Sequence, residues 1–98
     1  MSDNEKLAFE VRLRSRRAQR ELDGLQEVDY QRVAARLRTL ASVPRPRGCE
    51  KLYDNIYRVR VGSIRIIYFI DEGNKRIEVG GIRRRSESTY KGIEGLFR

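Results

Sequence analysis

The chain has no histidine and no tryptophan, one cysteine, one methionine and two prolines in 98 residues. Each shortage removes a class of function. Without histidine there is neither the commonest general base nor the commonest metal ligand. A lone Cys49 forms no internal disulfide, so a cytoplasmic protein is expected. Cys49 itself reads as structural or neutral, because no imidazole exists to activate it. No apolar run approaches the roughly 20 residues that span a membrane. The N-terminus, MSDNEKLAFE, is polar and acidic, unlike a secretory signal. No cofactor is implied, and metal ligands in a recognisable spacing are missing.

Basic charge is abundant instead. Lys and Arg number 22 against 14 Asp and Glu, a net charge of +8. That balance favours an anionic partner: nucleic acid, an acidic protein or an anionic surface. The length suits a single domain, residues 1–98, with residues 1–6 as a flexible tail.

Ala8 to Leu13 alternates, with Phe9, Val11 and Leu13 on one face, and predicts a first strand. Ser15 suits an N-cap and Gly24 a stop for a helix from Arg16 to Leu22, with Arg16, Arg17 and Arg20 outside. Tyr30, Val33, Ala34, Leu37, Leu40 and Ala41 recur at helical spacing, and Pro44 and Pro46 end that second helix. Lys51-Leu52-Tyr53 leads into IYRVRVGSIRIIYFID, residues 56–71, which reads as two strands around a Gly62-Ser63 turn. Asp71 to Asn74 is a second turn. Arg76 to Ile82 makes a last strand, with Arg83-Arg84-Arg85 directly after it, and Ser86 to Phe97 predicts a short C-terminal helix. The expected fold is α+β: a strand, a two-helix hairpin, a three-strand meander in a small antiparallel sheet, then the tail helix.

A two-residue hairpin loop pairs Arg60 with Arg65, and Arg58 lies one step along the same face. Like charges directly opposite destabilise a hairpin. If the last strand lies beside residues 64–70, the 83–85 run joins them in one patch, with Tyr90 a few residues on. Guanidinium groups match phosphate geometry, so a bound polyanion would relieve the repulsion. In RNA cleavage by 2′-hydroxyl attack, arginines stabilise the charge on phosphorus, but they are always protonated and cannot act as base. Tyr90 is the candidate for proton transfer, since neighbouring Arg charge lowers a tyrosine pKa. Plainer readings stand beside these. The 83–85 run is equally a solvated face, and Tyr90 equally a helix-face core residue. Glu50, Glu78 and Glu87 are either surface charges or partners of the same arginines. Tyr57 and Tyr68 pair on the opposite face and read as core. Gly80-Gly81 reads as a bulge or a site of close approach.

KLYDNIYRVRVGSIRIIYFID, followed by a strand and RRRSESTY, resembles the RelE/ParE toxins of bacterial toxin–antitoxin pairs over nearly the whole chain. The resemblance implies a RelE-like fold. In the RelE branch it implies a metal-independent, ribosome-dependent endoribonuclease that cuts mRNA and so blocks translation. The family pattern carries over to Arg58 and Arg60, where lysines are common, to Arg65, to Arg84 with Arg83 as the alternative, and to Tyr90. Arg16, Arg17, Arg20, Lys51, Arg83 and Arg85 are the further RNA-binding candidates. Arg58 and Arg60 cannot titrate as lysines can, which leaves proton transfer to Tyr90. The resemblance also implies an acidic antitoxin protein as partner, beside the ribosome and its mRNA. The other branch, ParE-like, implies a toxin that inhibits DNA gyrase without nuclease activity; it generally lacks the full Arg/Tyr set.

Overall fold

The computed structural model describes residues 8–84, 96 and 97. Seven elements follow in order: β1 (Glu10–Leu13), α1 (Arg16–Asp23), α2 (Glu27–Ser42), β2 (Glu50–Tyr53), β3 (Ile56–Val61), β4 (Ile64–Asp71) and β5 (Arg76–Arg84). The sheet order is β1-β5-β4-β3-β2. The α+β class is as expected from the sequence, but the sheet is mixed. β1 pairs with β5 in parallel, Glu10 opposite Arg76 through Leu13 opposite Val79. The remaining pairs are antiparallel. The meander has four strands and not three, because Glu50–Tyr53 forms an edge strand on β3. β5 also runs to Arg84, so Arg83 and Arg84 belong to the strand and do not follow it. The predicted C-terminal helix lies outside the described residues except at Leu96 and Phe97.

Local chemistry accounts for the helix boundaries. The Ser15 hydroxyl accepts the Ala18 N–H at 3.1 Å, and the Gly24 N–H closes α1 on the Arg20 carbonyl at 2.9 Å. α1 buries Ala18 and Leu22. α2 carries Glu27 and Asp29 in its first turn, where the helix dipole favours acids, and buries Val33 and Leu40. At the β3–β4 turn Gly62 takes φ 61, the backbone that a two-residue hairpin of this kind demands at its first central position. In the next turn Asp71 accepts from the Asn74 N–H at 3.1 Å and its Nδ2 at 2.9 Å. Those bonds hold the Asp71 carboxyl below its usual value.

The two faces of the sheet differ. One packs against both helices through Tyr57, Val59, Ile64, Ile66, Tyr68, Ile70, Ile77, Val79 and Ile82, joined by Val33 and Leu40. Tyr57 and Tyr68 stack there, centroids 6.0 Å apart. The Tyr68 hydroxyl donates to the Pro44 carbonyl at 2.7 Å, and Tyr57 accepts from Arg45 Nε at 2.9 Å; together they fasten the loop after α2. The other face has a small apolar cluster, Ile56 and Ile67 with Leu52, Phe69, Leu96 and Phe97. No described helix is long and apolar enough to cross a membrane.

Candidate nucleic-acid interface

The hairpin register is the one the turn predicts: Arg60 opposite Arg65, Tyr57 opposite Tyr68, Arg58 opposite Ile67. Cross-strand partners share a face. Arg58, Arg60 and Arg65 therefore stand on the face turned away from the helices. β5 adds a fourth group, because Arg83 lies opposite Arg65. Arg60, Arg65 and Arg83 form one row across three adjacent strands, at a strand spacing of about 4.8 Å.

A β-bulge decides that row. Ile67 pairs with Gly81 but Tyr68 pairs with Val79, so Gly80 is the extra residue on β5. The insertion shifts the alternation by one beyond it. Ile82 turns into the helix-side core and Arg83 onto the arginine face. The same shift sends Arg84 to the helix side, opposite Ile64. There its Nη2 lies 3.2 Å from Asp29 at the start of α2, and its Nη1 3.3 Å from the Ser63 hydroxyl. The Gly80-Gly81 pair also serves close approach. A Cβ built on Gly80 would sit 2.6 Å from Phe97 Cζ, so the ring rests on bare backbone.

The arginines differ in environment. Arg58 is 7% exposed and pairs with Glu50, its register partner on β2. The cluster thus holds a carboxylate that the sequence left open between partner and surface charge. Arg60 is exposed. Arg65 is 7% exposed, its Nε has no hydrogen-bond partner, and no carboxylate among the described residues pairs with it. A guanidinium so withdrawn from water attracts an anion more strongly than an exposed one. Arg83 Nε lies 3.4 Å from Glu21 on α1. Of the other candidates, Arg17 Nε is 3.7 Å from the same Glu21, and Arg16 and Arg20 are exposed on α1. Lys51 pairs with Tyr57 in register, so it falls on the helix side of the sheet, away from the row. Tyr90 and Arg85 lie outside the described residues. Among the described residues no group of three or more His, Cys, Asp or Glu stands together to hold a metal ion.

The sequence reading did not mark Glu21 or Asp29 as a partner of the arginines; Asp29 stands out there only as an acid suited to the first turn of its helix. Both act across long separations from a helix to the far end of β5, and neither sits at a spacing that marks it.

Residues 13–89 match the family model described as the ParE toxin of the type II toxin–antitoxin system, parDE. The chain belongs to that family. The ParE-family domain thus covers the strands that carry the arginine row and both helices behind it. No curated protein matches the sequence. Among solved structures, RelE in the archaeal RelE–RelB complex from Pyrococcus horikoshii OT3 superposes with a TM-score of 0.70 at 22% identity, covering 82% of this chain and 98% of that one. A double arginine-to-alanine mutant of E. coli RelE in the free state gives 0.72 at 14% identity, covering 91% and 93%. The RelBE2 toxin–antitoxin complex from Mycobacterium tuberculosis gives 0.58 at 22% identity, covering 80% and 99%. At these identities the likeness is one of fold: two helices on a five-stranded mixed sheet, shared with RelE.

Proposed function

We propose that this ParE-family toxin is a metal-independent endoribonuclease that cleaves mRNA on the ribosome. The observation that carries the reading is the row Arg60–Arg65–Arg83, with a buried guanidinium at its centre whose Nε has no hydrogen-bond partner and which no carboxylate among the described residues pairs with. A folding role alone leaves Arg65 unexplained, since burying a charge without a partner is costly. A phosphate seated on the row satisfies it.

In the proposed reaction the ribose 2′-oxygen attacks the adjacent phosphorus, the bond to the 5′-oxygen breaks, and that oxygen leaves with a proton. The products are a 2′,3′-cyclic phosphate and a 5′-hydroxyl. Arg65 and Arg83 stabilise the charge on phosphorus, and Arg60 and Arg58 hold the flanking backbone. The strand-end role goes to Arg83, because the bulge puts it on the arginine face; Arg84 braces the strand end against α2. Tyr90 supplies proton transfer, as none of the arginines can. Holding the message in line for attack falls to the ribosome. An acidic antitoxin is the proposed partner, as RelB is for RelE in the complexes of similar fold, and the net charge of +8 suits it. The proposed site of action is the cytoplasm, where ribosomes are.

A second reading is favoured by the family model itself. The match is to ParE, and Arg58, Arg83 and Arg84 all have carboxylates beside them. A toxin that binds DNA gyrase and cuts nothing needs a basic, rigid surface and no proton transfer. One experiment separates the two. After induced expression, mRNA ends are mapped and plasmid supercoiling is measured in the same cells. New message ends with normal supercoiling support the ribonuclease; intact messages with lost supercoiling support gyrase.

A further inference from the structure

β1 covers the edge of β5 only as far as Val79, where the Arg14 N–H still bonds the Val79 carbonyl at 2.8 Å. Beyond that point no strand among the described residues lies on the β1 side of β5. A side chain takes over. Glu21, in the second turn of α1, accepts the Ile82 N–H on Oε1 at 2.9 Å. Its Oε2 lies 3.4 Å from Arg83 Nε and 3.7 Å from Arg17 Nε. One carboxylate, 22% exposed, therefore fixes a backbone donor and two guanidinium groups at the place where the bulge has just turned β5 over.

We infer that Glu21 is a positioning residue for RNA cleavage, holding Arg83 in line with Arg65 from outside the site. The inference rests on the ribonuclease reading. The physical reason is the competition at Arg83. Arg83 and Arg65 are directly opposite and repel, and the free choice for a long side chain at a strand end is to swing away into solvent. The carboxylate of Glu21 engages Nε, the nitrogen nearest the stem. That holds the stem end of the guanidinium beside the strand edge. The backbone bond to Ile82 ties the same carboxylate to the strand it serves, so Arg83 and its anchor move as a unit. Arg17 adds a second positive group beside the carboxylate.

The test uses Glu21→Gln, Arg83→Ala and the double variant in the full chain. Glutamine keeps a carbonyl oxygen for the Ile82 N–H and removes the charge that orients Arg83. Cleavage is followed on purified ribosomes carrying a defined message, with thermal melting alongside. The expected result is a turnover about tenfold lower for Glu21→Gln, the size of one lost partly buried ion pair, with the KM for the ribosome complex and the melting midpoint little changed. In the Arg83→Ala background, Glu21→Gln causes no further loss, since it acts through a group already gone. Wild-type turnover in Glu21→Gln overturns the inference. So does a loss that adds fully to that of Arg83→Ala, or one matched by a fall in melting midpoint. Messages left intact by the wild-type chain overturn the ribonuclease reading first and this inference with it, an outcome distinct from a wild type that cleaves and an indifferent Glu21.

Discussion

Gly80→Ala offers a sharp check on how the second face of the sheet is covered. The new Cβ would meet Phe97 at 2.6 Å from Cζ, 2.8 Å from Cε1 and 3.1 Å from Cε2. Those distances are inside contact range, so the ring must leave. With it go the tilted stack on Phe69, centroids 6.0 Å apart, and the Arg14 guanidinium 5.7 Å above the ring. An aromatic pair contributes about 0.5–1.5 kcal/mol and a partly exposed cation–π contact about 0.5–1 kcal/mol. The expected loss from these contacts is therefore about 1–2.5 kcal/mol, a fall of roughly 4–8 °C in Tm per kcal/mol for a domain of this size. The backbone at Gly80 is outside the left-handed region. Alanine there also restricts the unfolded chain, which on its own stabilises by about 0.4–1 kcal/mol. In a Phe97→Ala background the clash is absent, so Gly80→Ala should change sign and become neutral or mildly stabilising. Urea unfolding of the four proteins reads out this coupling. Equal destabilisation in both backgrounds would refute the reasoning, because the cost would then lie in the bulge and not in the ring.

Other outcomes follow from the buried charges and the clasped loop. Arg65→Met should raise stability by about 1 kcal/mol or more in urea unfolding, since it removes a buried guanidinium that no described carboxylate pairs with, and should abolish message cleavage. Glu50→Ala strands the buried Arg58; with Glu50 itself half exposed and screened, the expected loss is about 1–2 kcal/mol by the same assay. Burial, with the neighbouring Cys49 second, pushes the Tyr68 hydroxyl above its ordinary value of 10.0. The unfolded chain then gives up this proton first, so stability present below pH 10 falls as pH rises above it. Tyr68→Phe should flatten that alkaline decline in a pH series of unfolding midpoints and cost about 1 kcal/mol at neutral pH, where the Pro44 carbonyl loses its donor.

The parts of the fold that were legible in the sequence are those fixed by neighbours along the chain. The Gly62-Ser63 turn sets the β3–β4 register, so Arg60 opposite Arg65 and Tyr57 opposite Tyr68 could be read directly. Ser15, Gly24 and the prolines mark the helices in the same local way. Glu50–Tyr53 was not read as a strand because three of its four residues are exposed, leaving no alternation to see. The parallel direction of β1 depends on which edge the two helices deliver it to, a property of the whole topology. The bulge matters most for the site. An unbroken alternation through Ile77 and Val79 puts Arg84 on the arginine face; the extra residue at Gly80 puts Arg83 there. Two glycines in a strand announce that something happens, but the pairing partner across the sheet determines what.

The parallel pairing of β1 with β5 also sets an order of events when the chain folds. β2 to β5 are joined by short turns and can zip together with little loop-closure cost. Glu10 and Arg76 are partners from nearly opposite ends of the described chain, so the closing edge of the sheet waits until β5 exists. Glu21 reaches Ile82 and Arg83 across a similar separation, and Asp29 reaches Arg84. The helix contacts that brace Arg83 and Arg84 are thus expected to form after the hairpin that carries Arg60 and Arg65. A copy released before β5 is complete is expected to carry the Arg60–Arg65 hairpin without Arg83 beside it.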